Sequence, residues 1–291
     1  MSKPAPDRSL NALAPGLYVT ATPIGNASDI SLRALDVLRG ADLVLCEDTR
    51  VTAKLFAIHG IDTKMAPYHD HNAAEMRPKV LRRLEAGERI ALVSDAGTPL
   101  ISDPGYKLVR EAVEAGHNVT TLPGASSVMA ALTLAGLPTD RFFFAGFLSA
   151  KQEARRKELA DLAAVPATLV FLESANRLDA SLADMAMALG PREAAVAREL
   201  TKRFEEVRRG HLSDLAAHYA EAGAPKGEIV VVVGPPAARA PLCQGEVDAM
   251  LENALKRTSL KDAVAEVTAM TGLPRREVYA RALTLSGDDG E

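Results

Sequence analysis

Residues 89–105, RIALVSDAGTPLISDPG, decide how this chain is read. Residues 89–94 are a short, nearly continuous apolar run, the pattern of a strand buried on both faces. Residues 95–105 then form a Gly- and Pro-rich loop carrying several side-chain oxygens, longer than the roughly two to six residues that join a strand to a helix. Residues 106–115 return to helical spacing and stop at Gly116. Repeats of strand, loop and helix build a mainly parallel sheet with helices on its faces. Ligands of such sheets sit outside the carboxyl ends of the strands.

The same unit recurs on both sides of this stretch. Upstream, residues 16–22 (GLYVTAT) read as a strand followed by the loop Pro23-Ile24-Gly25-Asn26. Leu32, Leu35 and Leu38 stripe a helix that ends at Gly40, residues 42–46 are a strand, and 51–59 are a helix closed by Gly60. Met76, Val80, Leu81 and Leu84 mark another helix, closed by Gly87. Downstream, 118–122 are a strand and 126–135 a helix. Small and polar residues collect where strands end: TPIGN, CEDTR, SDAGTP and PGASS.

A second lobe opens near Leu137-Pro138. Residues 141–147 hold four phenylalanines in a strand-like run, 153–164 are a charged helix, and 167–172, 194–199 and 228–233 are strands with helices between them. After Pro235-Pro236 a Pro-, Ala- and Gly-rich linker leads to three helical pieces, 247–256, 261–271 and 275–283. The last two flank Gly272-Leu273-Pro274, as in a helix-turn-helix or a small helical cap. The expected layout is a disordered lead-in at 1–15, α/β lobes at 16–136 and 137–236, and a helical appendage at 246–286.

Composition narrows the function classes. At 47% hydrophobic and 25% charged residues, the chain is an ordinary globular protein. Its longest apolar run, residues 229–233, is far too short to cross a bilayer. Two cysteines, Cys46 and Cys243, make no disulfide framework, and the expected compartment is the reducing cytoplasm. A net charge of −4 argues mildly against a nucleic-acid partner. Basic clusters at Arg155-Arg156-Lys157, Lys202-Arg203 with Arg208-Arg209, and Arg275-Arg276 with Arg281 soften that objection.

The loop after residue 22 lacks the three spaced glycines of a dinucleotide fingerprint and the Gly-Lys-Ser/Thr of a P-loop, so NAD and ATP lose support. Asp95 at a strand end can accept hydrogen bonds from a ribose or an amino group, and Gly97 permits close backbone approach. Ser126 and Ser127 offer hydroxyls at a helix start, for capping or for a ligand. Cys46 reads as a buried strand cysteine. His69-Asp70-His71 lacks a third nearby ligand, so no metal is expected. No Gly-x-Ser-x-Gly elbow occurs. The charged segments after residues 172 and 198 build either an ion-pair network or a polar active site.

Taken in order, TPIGNASDISLRAL, CEDTR, YHDHN, LVSDAGTPLISDPG, LPGASSVMAAL, ESANR, ARELTKRFEE and KGEIVVVVGP resemble the small-subunit ribosomal RNA cytidine 2′-O-methyltransferases of the tetrapyrrole-methylase-like superfamily. The resemblance covers roughly residues 16–235 and is weaker over the terminal helices. Leu172 and Ala175 stand where that family often has Tyr and Pro, and neither change removes a charge.

The resemblance implies two α/β lobes of the tetrapyrrole-methylase type with a cofactor cleft between them, plus a small C-terminal helical appendage suited to RNA contact. It implies a homodimer and S-adenosylmethionine as methyl donor, held by Pro23, Asp95, Gly97, Thr98, Ile101, Ser126, Ser127, Glu173 and Gly234. A ribose hydroxyl is a poor nucleophile and needs a base or a nearby cation. Candidates are Asp48, His71, Glu199, Lys202 and Glu205, with Arg50, Arg177 and Arg198 as partners for small-subunit ribosomal RNA. The alternatives are a tetrapyrrole C-methyltransferase of the same fold and a non-enzymatic nucleic-acid-binding regulator.

Overall fold

The computed structural model describes residues 13–237 and 244–286. The chain begins with β1 (Gly16–Thr20), α1 (Leu32–Gly40), β2 (Leu43–Cys46), α2 (Thr49–His59), β3 (Met65–Pro67), α3 (Ala73–Glu85), β4 (Arg89–Val93), α4 (Tyr106–Glu114), β5 (Val119–Leu122) and α5 (Ser127–Ala135). Its five strands make one sheet in the order β3-β2-β4-β1-β5, parallel throughout. Both faces are buried, and the alternation of side chains sorts them. Leu17, Leu43, Leu45, Ile90 and Leu92 face α3 and α4, while Tyr18, Val44, Cys46, Ala91 and Val93 face α1 and α2.

That order contains a switch point. From β1 the chain crosses one face through α1 to β2, and from the adjacent β4 it crosses the other face through α4 to β5. The loops after β1 and β4 therefore part in opposite directions and leave a crevice at the carboxyl edge. They stay pinned together by paired backbone bonds, Thr22 N to Gly97 O at 2.9 Å and Gly97 N to Thr22 O at 3.1 Å. Gly97 has φ +88°, a left-handed backbone that favours glycine.

The second sheet comes from β6 (Phe142–Phe147), α6 (Gln152–Leu162), β7 (Thr168–Glu173), α7 (Leu178–Leu189), β8 (Glu193–Arg198), β9 (Glu206–His211), α8 (Leu212–Ala222) and β10 (Ile229–Val233). Its order is β6-β7-β10-β8-β9. Only β6 and β7 are parallel; β10 runs antiparallel to β7 and β8, and β8 to β9. The mainly parallel expectation, drawn from the first lobe, holds there, whereas the second sheet is mostly antiparallel. Residues 199–205 are too few for a parallel crossover, so β8 must turn back on itself as a hairpin. Periodicity missed β9 (EVRRGH) because it is an edge strand with charged, half-exposed side chains.

One face of this sheet (Leu169, Phe171, Val196, Val231) is covered by α6, α7 and α8. The other (Val170, Ala195, Ala197, Val230, Val232) is covered by Val128, Ala131 and Leu132 of α5 and by Ile24. The helix α5 follows the first sheet in sequence but packs on the second, so the lobes share a core. Residues 13–236 form one compact unit.

Of the expected lead-in at 1–15, residues 1–12 fall outside the described residues, as does Cys243. From Leu13 the chain is packed, and the Tyr18 hydroxyl donates to Ala14 O at 2.6 Å. The second unit contains α9 (Gln244–Leu255), α10 (Leu260–Thr271) and α11 (Arg275–Ser286) around a core of its own, with Leu251, Val264, Val267 and Val278 buried. Gly272 ends α10 at φ +69°, and Arg281 pairs with both carboxylate oxygens of Asp248. Among the described residues no helix is long and apolar enough to cross a membrane.

Candidate active site

Two adjoining chambers open at the switch point, each of about 270 Å³. Ile24, Ser94, Asp95, Ala96 and Glu228 line both. The first chamber has an apolar side made by Ile101, Phe147, Leu172, Ala197, Leu200 and Val230, and a polar side with Asp103, Ser127 and Glu173. The second is walled by Pro23, Gly25, Lys202 and the α2 residues Val51, Leu55 and Ile58.

The chain is bent most sharply where the lobes face each other. Among the described residues the only non-glycine positions with positive φ are Leu100 (73°), Ser102 (64°), Glu199 (50°) and Thr201 (63°). Such conformations are costly and persist when surrounding contacts hold them. Here the Thr201 hydroxyl accepts from Asn26 N at 3.1 Å, and Thr201 N donates to Glu205 Oε2 at 2.7 Å. Gly25 lies so close to this turn that an added Cβ would collide with Lys202 Cγ and sit 3.1 Å from Leu200 O. Gly25 lines the second chamber, and its missing side chain also lets the two lobes approach.

Lys202 is the cation of the second chamber. Its ammonium donates to Glu199 Oε1 at 2.8 Å and Glu228 Oε2 at 3.0 Å. Burial works against the ammonium, but the bonds to Glu199 and Glu228 outweigh it and its pKa is raised. Lys202 therefore stays charged and is not a proton acceptor. The hydrogen bond from Lys202 holds the Glu199 carboxyl below its usual range despite partial burial. Gly227, at φ +105°, leaves room for the Glu199 carboxylate, which a Cβ there would overlap.

The floor of the cleft is acidic. Asp95 Oδ1 accepts from Asp48 N at 3.0 Å. Asp103 accepts from the Ser94 hydroxyl at 2.5 Å, yet burial, aided by the Asp95 charge, pushes its pKa up. Glu47 is raised by desolvation and then by the charges of Asp95, Asp103 and Asp70.

Of the residues predicted to hold cofactor, Pro23, Asp95, Ile101, Ser127 and Glu173 line the chambers. Gly97, Thr98 and Ser126 lie just behind: Gly97 bridges to Thr22, the Thr98 hydroxyl donates to Ala125 O at 3.0 Å, and Ser126 caps α5. Glu173 is buried and already engaged by Ser174 N, the Ser181 hydroxyl at 2.5 Å and Arg177 at 2.8 Å. Gly234 is at the opposite end of the sheet. Because β10 runs antiparallel to β7 and β8, its start, beside Glu173 and Arg198, faces the cleft.

Of the five candidates for chemistry, only Lys202 lines a chamber, with Glu199 in direct contact. Asp48 caps α2 and pairs with Arg50, which lowers its pKa to about 2. Glu205 accepts from Thr201 N, and His71 is exposed beside His69, their ring centres 5.9 Å apart. The proposed RNA-contacting arginines all have internal partners: Arg50 with Asp48, Arg177 with Glu173, Arg198 with Glu206. Cys46 is buried, with its thiol pKa raised chiefly by desolvation. Among the described residues no three His, Cys, Asp or Glu side chains are grouped to hold a metal ion. Asp103 and Glu228 escaped the sequence reading. The signal for Glu228 was a single carboxylate at the head of an otherwise uniform valine run.

Comparison with known proteins agrees with this geometry. The sequence profile of the tetrapyrrole (corrin/porphyrin) methylases matches residues 16–216, and that of the RsmI C-terminal HTH domain matches 243–286. A ribosomal RNA small subunit methyltransferase I from Mesorhizobium japonicum is 51% identical over 280 residues, covering 96% of this chain and 95% of the relative. The protein of the same name from Erythrobacter litoralis is 52% identical over 279 residues, covering 96% and 98%. Among solved structures, the uroporphyrin-III-C-methyltransferase of Thermus thermophilus shares the fold at a TM-score of 0.54 and 22% identity, covering 75% of this chain and 93% of that one. The chain belongs to the ribosomal RNA small subunit methyltransferase I family, within the tetrapyrrole methylases.

Proposed function

We propose that this chain transfers the methyl group of S-adenosylmethionine to the ribose 2′-oxygen of a cytidine in small-subunit ribosomal RNA. One observation carries the reading: identity above 50% to small-subunit RNA methyltransferases extends over 96% of the chain, through the cleft and into the terminal helices. The tetrapyrrole alternative is weaker because that enzyme's fold accounts for only 75% of this chain. A purely nucleic-acid-binding regulator would have no need for a strained, carboxylate-lined cleft at a switch point.

The residues present fit the methyl donor. The first chamber joins an apolar wall suited to a purine with the Asp95 carboxylate, which suits hydroxyl or ammonium groups. When bound, the donor supplies an electrophilic methyl group on a sulfonium, so the protein's main task is to align it with the ribose oxygen. Lys202 provides the positive charge that favours the deprotonated hydroxyl. Glu199 and Glu228 fix the position of the ammonium, and the Gly25 loop holds the Lys202 turn against the first lobe.

The working form we infer is a homodimer in the cytoplasm, where small subunits are assembled. Phe142 and Phe143, both 43% exposed on the edge strand β6, support a second copy as cover. Sedimentation at micromolar concentration checks the dimer. Incubation with radiolabelled S-adenosylmethionine and unmethylated small subunits, followed by RNA digestion, checks the reaction. Label on a cytidine ribose is expected. Intact cofactor binding without label on RNA would bring the tetrapyrrole reading forward.

A further inference from the structure

We propose that Phe204 is a stacking platform for a base next to the target cytidine, with Arg203 beside it on the RNA backbone; the proposal rests on the methyl-transfer reading above. Phe204 is 66% exposed, although nothing in folding favours leaving a phenyl ring in water. It sits two residues beyond the cleft-lining Lys202, on the turn between β8 and β9. This turn is held firmly: Lys202 N donates to Glu199 O at 3.0 Å, Glu205 N to Lys202 O at 3.1 Å, and Asn26 N to the Thr201 hydroxyl. A ring on such a support is positioned in advance, which lowers the ordering cost of binding.

Arg203 sharpens the assignment. Its guanidinium carbon lies 5.6 Å from the centre of the Phe204 ring. Unlike Arg50, Arg177, Arg198 and Arg208, it has no carboxylate at ion-pair distance among the described residues. An exposed aromatic ring and an unneutralised arginine together are the pairing that single-stranded RNA recognises, through base stacking and phosphate contact. A protein partner would equally welcome the ring; the test separates the two.

The test measures methyl transfer to unmethylated small subunits by Phe204→Ala, Phe204→Trp and Arg203→Ala. For Phe204→Ala the expected result is a rise in KM for subunits of about tenfold or more, with kcat and the cofactor Kd changed less than about threefold. Phe204→Trp is expected to recover most of the loss, which a space-filling role for a phenyl ring would not allow. The Arg203→Ala defect is expected to shrink as salt is raised. In parallel, p-benzoylphenylalanine at position 204, irradiated on the subunit, should crosslink to RNA within about three nucleotides of the labelled cytidine. An unchanged KM for Phe204→Ala, or crosslinks to a ribosomal protein or a second copy of the chain, would overturn the proposal while wild-type labelling left the reaction intact. Failure of the wild type to label cytidine would sink the underlying reading instead.

Discussion

The two sheets meet the same cleft in different ways. In the first, every strand runs in the same direction, so the carboxyl ends share one edge and the loops after β1 and β4 form the crevice. In the second, directions alternate, and the cleft edge collects the ends of β7 and β8 with the start of β10. A polar motif beside a strand therefore locates a site only once the direction of that strand is known. The first lobe presents backbone and carboxylates; the second adds most of the first chamber's apolar wall and a strained hairpin turn with its lysine. Substitutions in that turn should then disturb turnover more than cofactor binding.

Lys202→Met gives the largest expected effect. Removing the ammonium leaves Glu199 and Glu228 without their shared cation and the ribose oxygen without its stabilising charge. Single-turnover label transfer should fall by about 10²–10³-fold, while calorimetric cofactor affinity changes only severalfold. Unchanged transfer would reduce the second-lobe turn to a structural tie.

Gly25→Ala tests the contact between the lobes. The new Cβ would overlap Lys202 Cγ and Thr201 Oγ1, both close to the backbone, and press on Leu200 O, so the turn itself must shift. A displacement near 1 Å should cost roughly 10²-fold in transfer rate. Near-normal transfer would show that the turn can slide, and with it that the strained residues are not fixing the chemistry.

These two positions also show what was legible in the sequence. The first lobe could be read almost completely, because a doubly buried parallel sheet writes continuous apolar runs and punctuates them with Gly and Pro. The candidates there (Pro23, Asp95, Ile101, Ser127) reach the cleft because they follow strands of one direction. Three things stayed hidden, two of them in the second lobe. The edge strand β9 is charged, so no apolar period marks it. The reversal of β10 moved the functional end from Gly234 to Glu228. The role of Gly25, in the first lobe, stayed open because a glycine spared for a neighbouring lysine and one spared for a phosphate look alike in sequence.

The strand reversal makes its own prediction. Glu228→Gln removes one carboxylate from Lys202 and should lower transfer severalfold, the size expected for one charged hydrogen bond of a pair. Gly234→Ala, at the far end of the same strand, should leave the cofactor Kd unchanged, although its Cβ would lie 3.2 Å from Glu193 O and lower the melting temperature slightly. A larger cofactor defect in Gly234→Ala than in Glu228→Gln would mean that the strand direction carries no functional weight.

The smallest effect concerns two aspartates near the first sheet's carboxyl edge whose pKa values are shifted in opposite directions. Asp103 has its pKa raised by burial and by Asp95, so the folded state holds its proton more tightly than the unfolded chain does. Its ionisation therefore opposes folding at neutral pH, and the penalty fades as pH falls through the raised value toward about 4. Asp103→Asn, which can still accept from Ser94, should raise the melting temperature at pH 7 by about 1–3 °C, and the gain should vanish near pH 4. Asp48 behaves conversely: with its pKa lowered to about 2 by Arg50, it supports the fold above the ordinary carboxylate range, and that support is lost as pH falls through about 2. Asp48→Asn should then lower the melting temperature at pH 7 and matter least in strong acid. Thermal melts of both variants from about pH 2 to 8 separate the cases. A loss at pH 7 for Asp103→Asn would show that the cleft floor favours the anion, making Asp103 part of the binding surface rather than a strained remnant of burial.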